Sequence, residues 1–349
     1  MQKINKNYDN YSKRRIGMKR KIKAILAMLA LGMITGVSWG SAESIAAPRT
    51  EIKIFVTSDV RAEKAPLWQI GNRNIGGLEA LSYEIQKERK ENPNSLLIDG
   101  GNWIRGDVAD QNYGLTRDMR PHPTMSFAKA MNYDFMVLGD VEQGQDLGFL
   151  TKYGATGVAP LLSSQLNSEF LMNTLSGSQK FKSYGVASVE TKWPWAVKVG
   201  FLPLSSPGLL SENPAELFLG SETDDEFMTR LNGVVRESDI LVLMVRSTKN
   251  LTAYQQVQKQ VRLAKETGKV VAIVLSGPGS PEDRLPGEFI QMNWGSKGIL
   301  ESVPTISVGH GGLFYGEIEI TLNHSNGGWK SSEVELEIKD VDKLDKMPY

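Results

Sequence analysis

Apolar, β-rich runs that end in glycine-bearing polar loops recur along this chain, separated by amphipathic helical stretches. EIKIFVTS (51–58) alternates and reads as a strand. GGLEALSYEIQKERKEN (76–92) places Leu78, Leu81 and Ile85 at helical spacing with charges between them. NPN breaks the chain, and SLLIDGGN (95–102) is a short buried strand running into a glycine turn. Residues 124–132 read as helix and YDFMVLGD (133–140) as strand. The same grammar returns in KVGFLPLS (198–205), SDILVLMVRS (238–247) and GKVVAIVLSG (268–277), with helical stretches near 223–237 and 250–267. From Val303 the chain turns to strands alone: PTISVGHG, YGEIEITLNH and KSSEVELEIKD. This periodicity predicts an α/β sheet with helices on its faces and antiparallel additions at an edge. No internal repeat or long linker interrupts it, so one domain is expected.

The N-terminus has a different composition. Residues 1–23 carry nine Lys and Arg against Asp9 alone, and an apolar run follows from Ala24 to Val37. Small residues close it, with Ser44-Ile45-Ala46 and Gly40-Ser41-Ala42 as alternative cleavage points. A basic start, a short apolar stretch and a small-residue exit describe a secretory signal over residues 1–46, with Met18 as an alternative start. An uncleaved anchor is the competing reading, although fourteen apolar residues are short for a bilayer core. Export to the periplasm, cell surface or exterior is therefore expected, with no membrane span once the signal is removed.

The whole chain balances 40 bases against 40 acids, but residues 47–349 carry 31 against 38, a net charge of −7. An acidic exported body is not expected to bind nucleic acid, which needs clustered Lys and Arg. Cys is absent, which excludes disulfides, thiolate metal sites and a thiol nucleophile. GPGSPEDRLPG (277–287) lacks the Lys-Ser/Thr pair of a nucleotide P-loop, and no Gly-x-Ser-x-Gly elbow occurs. The three histidines, His122, His310 and His324, lack metal-ligand spacing. His324 reads as a solvated hairpin turn, and Trp193 and Trp195 of KWPW read as core packing beside Pro194.

Polar loops follow the strands as TSDVR, DGGNW, GDVE, RSTKN and SGPGS, where open α/β sheets bind ligands. Their order, with GGLEALSYEIQKERKENPNSLLIDGG, AMNYDFMVLGDVE, VKVGFLPLSSP and VPTISVGHGGLFYGEIEITL, resembles the 5′-nucleotidase branch of the calcineurin-like metallophosphoesterases. The resemblance covers about residues 50–325. It implies a β-sandwich flanked by helices, in four layers α/β/β/α, over a single domain 47–349. That branch usually adds a C-terminal nucleoside-binding domain, which is not expected here.

The same resemblance implies two adjacent metal ions held by Asp, His and Asn, which acidify a water for in-line attack on phosphorus. This chain departs from that ligand set. Asp59-Val60-Arg61 stands where the family has Asp-x-His. The bridging Asp falls at Asn102, and the Asn-His pair falls at Asp140 and Val141. A further His falls at Arg246, and Pro278 and Ser280 replace the two of a Gly-His-x-His loop. Asp59 and Asp140 are thus the candidate metal ligands, with Asn102 and Glu142 as weaker oxygen donors for Ca²⁺ or Mg²⁺. A guanidinium offers no lone pair, so Arg61 and Arg246 are expected to stand in for the metals by pairing with Asp59 and Asp140, or to bind an anion. His310, in the SVGHGG loop, is the histidine closest to the implied site. The expectation is a non-catalytic binding or structural protein of the cell envelope, with an unidentified protein partner and no cofactor. Two alternatives stand beside it: a phosphoric ester hydrolase with an atypical divalent-metal site, and an anion-binding module using Arg61 and Arg246.

Overall fold

A computed structural model describes residues 47–60, 68–70, 73–75, 77–103, 123–139, 142, 159–164, 181–204, 222–246, 251–276, 295–309, 311–325 and 327–341. The expected export signal and the candidates Arg61, His122, Asp140, Val141, Pro278, Ser280 and His310 lie outside these. No helix among the described residues is long and apolar enough to cross a membrane.

The strands in chain order are β1 (Arg49–Thr57), β2 (Trp68–Ile70), β3 (Arg73–Ile75), β4 (Leu96–Asp99), β5 (Phe135–Val137), β6 (Leu161–Leu162), β7 (Phe181–Lys182) and β8 (Gly185–Val189). They continue as β9 (Val197–Leu204), β10 (Ile240–Arg246), β11 (Val270–Ser276), β12 (Ser296–Leu300), β13 (Val303–Ser307), β14 (Phe314–Ser325) and β15 (Gly328–Asp340). The helices are α1 (Leu78–Glu91), α2 (Pro123–Met131), α3 (Asp224–Glu237) and α4 (Leu251–Lys265). Among the described residues one sheet runs β15-β14-β1-β4-β5-β6-β7 and a second runs β12-β13-β11-β10-β9-β8, beside a small β2-β3 ribbon.

Alternation along the strands decides what each face meets. On β1, Ile54 and Val56 face the second sheet and join Ile98, Phe201, Val242, Val274, Ile306 and Ile318 in one apolar layer. Phe55, between them, points the other way and packs with Leu78, Leu81 and Ile85 of α1 and Met131 of α2. On β10 the odd residues Leu241, Leu243 and Val245 face out, onto Phe227, Leu231 and Val234 of α3 and Val257 and Val261 of α4. The result is four layers, α/β/β/α. Periodicity alone predicts one sheet. The runs of apolar residues with no polar face, such as ILVLMV, mark strands covered on both sides, and two such sets need two sheets.

Within each sheet the central strands are parallel: β1, β4, β5, β6 and β7 in the first, and β9, β10, β11 and β13 in the second. β14 and β15 add antiparallel at one edge, as the late strand run predicts. β12 and β8 add antiparallel at the two edges of the second sheet. The expected strand 133–140 is shorter, Phe135–Val137; just ahead of it the Asp134 carboxylate accepts the Leu97 N–H while the Asp134 N–H donates to the Leu97 carbonyl, both at 2.8 Å.

Two aromatic expectations fail at the far end of the sandwich. Trp195 is 47% exposed rather than in the core, and its ring stacks on His324 at 4.4 Å. His324 lies on β14 between Trp195 and Trp329, not in a solvated turn. Ring stacking on a half-buried strand position outweighs hydration there.

Candidate functional site

The carboxyl ends of both parallel strand sets meet at one end of the sandwich. The Ser276 hydroxyl, at the end of β11, donates to the Gly100 carbonyl beyond β4 (2.9 Å). A Cβ on Gly100 would lie 2.8 Å from Ser276 and 2.9 Å from Ser58, so only glycine lets the two sheets close here.

The loop after β1 is laced to the loop after β4. Gly100 donates to the Thr57 carbonyl and Asp59 to the Gly101 carbonyl, both at 2.8 Å. Gly311 donates to the Asp59 carbonyl (2.8 Å), which brings the loop before β14 to the same place. Asp59 and Asn102 both hold left-handed backbone, at φ 50° and 64°. Asp and Asn carry that conformation more readily than other non-glycine residues. Their side chains meet: the Asn102 amide donates to Asp59 Oδ1 at 2.7 Å, and both residues are buried.

Glu142 is 1% exposed, and its carboxylate gathers backbone amides. Oε2 accepts from Asn102 (2.9 Å) and Gly139 (2.8 Å), and Oε1 accepts from Trp103 (2.6 Å). One side chain thereby clamps the loop after β4 to the loop after β5. Gly139 has no room for a side chain, since a Cβ there would run into Asn102 Oδ1.

Behind this lies a second buried network that sequence reasoning missed. Asp99 accepts from the Thr57 hydroxyl and the Gly101 N–H, both at 2.6 Å, and Thr57 in turn meets the Tyr133 hydroxyl at 2.9 Å. Burial pushes the Asp99 carboxyl well above the usual carboxylate range and raises the Tyr133 phenol too. Asp99 is visible in LLIDGGN. Thr57, however, lies 42 residues from Asp99 and 76 from Tyr133, and no local signal joins the three.

Arg246 closes β10 with 2% exposure, beside Ser276 in the parallel register. Of the sequence candidates, then, Asp59, Asn102 and Glu142 converge in one hydrogen-bonded cluster, and Arg246 ends a strand at the same end of the sandwich.

The donor set can be tested against a two-ion centre. Asn102 turns its N–H toward the carboxylate it would have to share an ion with. Glu142 is engaged by three amides, and Arg246 has no lone pair to give. No group of three or more His, Cys, Asp and Glu that could hold a metal comes together among the described residues. These described residues do not fit two adjacent metals.

Known proteins share this architecture. The crystal structure of the calcineurin-like phosphoesterase YfkN from Bacillus subtilis superposes with a TM-score of 0.62 at 20% identity, over 84% of this chain and 92% of that one. The fold is that of the calcineurin-like phosphoesterases. The 5′-nucleotidase precursor from Thermus thermophilus also shares it, with a TM-score of 0.62 at 17% identity, over 84% of this chain and 55% of that one. In sequence, the trifunctional nucleotide phosphoesterase protein YfkN of Bacillus subtilis is 23% identical over 94% of this chain and 23% of its own length. A 2′,3′-cyclic-nucleotide 2′-phosphodiesterase/3′-nucleotidase of Salmonella typhimurium is 22% identical over 86% of this chain and 48% of its own. The chain thus spans about a quarter to about a half of the length of these curated relatives. Relatives and structural neighbours together are consistent with the N-terminal domain of the 5′-nucleotidase branch. No known family's sequence profile matches the chain.

Proposed function

We propose that this chain is an exported phosphoesterase-fold protein that has given up the two-ion centre and acts in the cell envelope by binding rather than by hydrolysis. The observation that carries the reading is Arg246. It is a buried guanidinium at the carboxyl end of β10, where the family resemblance implies a metal-binding histidine. A fixed positive charge disfavours a cation nearby, and without a metal a bound water keeps its high pKa, so hydroxide is not formed at neutral pH. Asp59, the one ligand kept as itself, receives an amide N–H. Export is supported by the basic and apolar N-terminal segment and by the description of a structural neighbour as a precursor. The ligand expected at such a strand-end site is an anion, met by Arg246 and Arg61.

A second reading, a phosphoric ester hydrolase with an atypical metal site, is favoured by the names of the relatives, which are nucleotide phosphoesterases. Two measurements separate them. Elemental analysis of the purified protein is expected to find no stoichiometric transition metal. A generic phosphate ester, assayed with Mn²⁺, Zn²⁺, Mg²⁺ and Ca²⁺, is expected to be left intact. Two tightly held metal ions per chain, or turnover that disappears in Asp59→Ala, would overturn the binding reading. A thermal shift by inorganic phosphate that is lost in Arg61→Ala would identify the ligand class.

A further inference from the structure

We propose that the Asn102 amide does for the strand-end loops what a shared cation would do, so that a single substitution, Asn102→Asp, would make this body's stability depend on divalent metal. The inference rests on the binding reading above.

Asn102 is aimed before its side chain acts. Its own N–H is held by Glu142 Oε2 (2.9 Å) and the next N–H, of Trp103, by Oε1 (2.6 Å), which fixes the left-handed turn at φ 64°. From that fixed turn the side chain delivers Nδ2 to Asp59 Oδ1 at 2.7 Å. The Asp59 backbone is tied to the same loop through Gly101 (2.8 Å), and Gly139 joins through Glu142 (2.8 Å). Three loops from three parallel strands are thus cross-linked by one amide and one carboxylate, all buried.

The amide gives the buried Asp59 carboxylate a donor at this contact, where a second carboxylate would give it a like charge. A carboxylate is stable against an N–H donor in a buried place, whereas two carboxylates at the same separation repel strongly at low dielectric. Asn102→Asp keeps the shape, removes the donor and adds a second negative charge at the 2.7 Å contact with Asp59. The added negative charge offsets the Arg246 guanidinium that disfavours a cation in the wild type, so a divalent cation between the two carboxylates would restore the link. Asn102→Ala removes the link without adding charge.

The test is thermal unfolding of the full chain and both variants, in EDTA and in millimolar Mn²⁺, Mg²⁺ or Ca²⁺, with far-UV circular dichroism to check folding. The wild type is expected to melt at the same temperature with metal or chelator. Asn102→Asp is expected to melt about 2–4 °C lower in EDTA and to regain at least half of that with metal. Asn102→Ala is expected to lose stability with no metal response, and it carries the test if the Asp variant does not fold. An Asp variant as stable as wild type in EDTA, or unresponsive to metal, overturns this inference and leaves the binding reading standing. So does an Ala variant as stable as wild type. A wild type that is destabilised by EDTA overturns the binding reading itself.

Discussion

Removing the Glu142 carboxylate should loosen the whole strand-end region, and the structure sets the size of the effect. Glu142→Ala orphans three backbone donors, on Asn102, Trp103 and Gly139. At about 1–3 kcal/mol for each unsatisfied buried donor, the sum is about 3–9 kcal/mol. The lower half of that range is expected, because the vacated side-chain volume admits water to some of the donors. Glu142→Gln is the sharper comparison. Its oxygen can replace Oε2 and keep Asn102 and Gly139, while its amide faces the Trp103 N–H, for a loss of about 1–3 kcal/mol. Urea unfolding at neutral pH, followed by circular dichroism and by tryptophan emission, measures both. The order expected is wild type, Gln, Ala. An Ala variant within about 1 kcal/mol of wild type would show that the three amides do not depend on this carboxylate, and the clamp would then be the wrong description.

Asp99 gives a pH signature. Its folded-state pKa is raised by burial, so its contribution is fully present below the ordinary carboxylate value and is lost as pH rises. Asp99→Asn removes that loss: Nδ2 can donate to Thr57, whose own proton then turns to Tyr133. The variant's unfolding midpoint should gain on wild type as pH rises above about 4, and parallel curves would refute the assignment. Gly139→Ala should cost about 3 kcal/mol or more, read as lost soluble yield or a lowered urea midpoint, because its Cβ would run into Asn102 Oδ1. Thr223→Ala breaks the capping box in which Thr223 and Glu226 satisfy each other's backbone N–H at the start of α3. It should cost about 1 kcal/mol in the same urea assay and leave phosphate binding unchanged.

The layers are legible in the sequence because burial on two faces leaves a plain mark: ILVLMV and VVAIVL have no polar side. Strand ends are legible because glycine follows them. The short strands β6, β7 and β8 and the edge strand β12 are not, since two to five residues carry too little pattern. The site is legible as positions but not as roles. Sequence spacing presents Glu142 as an oxygen donor for a cation, and the structure instead gives it three backbone amides, partners that sequence cannot display. Asn102 reads in sequence as a weak ligand, yet its N–H side meets Asp59. Thr57, Tyr133 and Ser276 carry no signal at all, because their bonds span loops and sheets that only the fold brings together.

The left-handed backbone at Asp59 and Asn102 has a consequence for how these loops can drift over generations of mutation. A glycine at either position would shed the steric penalty of a side chain at positive φ, which for Asp and Asn is smaller than the about 1–2 kcal/mol of other residues. An idle loop, under no demand on its side chains, would find that exchange downhill and glycine would accumulate there. Here the exchange runs uphill, because a glycine at 59 or 102 also deletes the buried side-chain bond that joins the two loops. The fold therefore guards these two residues by its own stability, and it would do so whether or not any substrate ever passed.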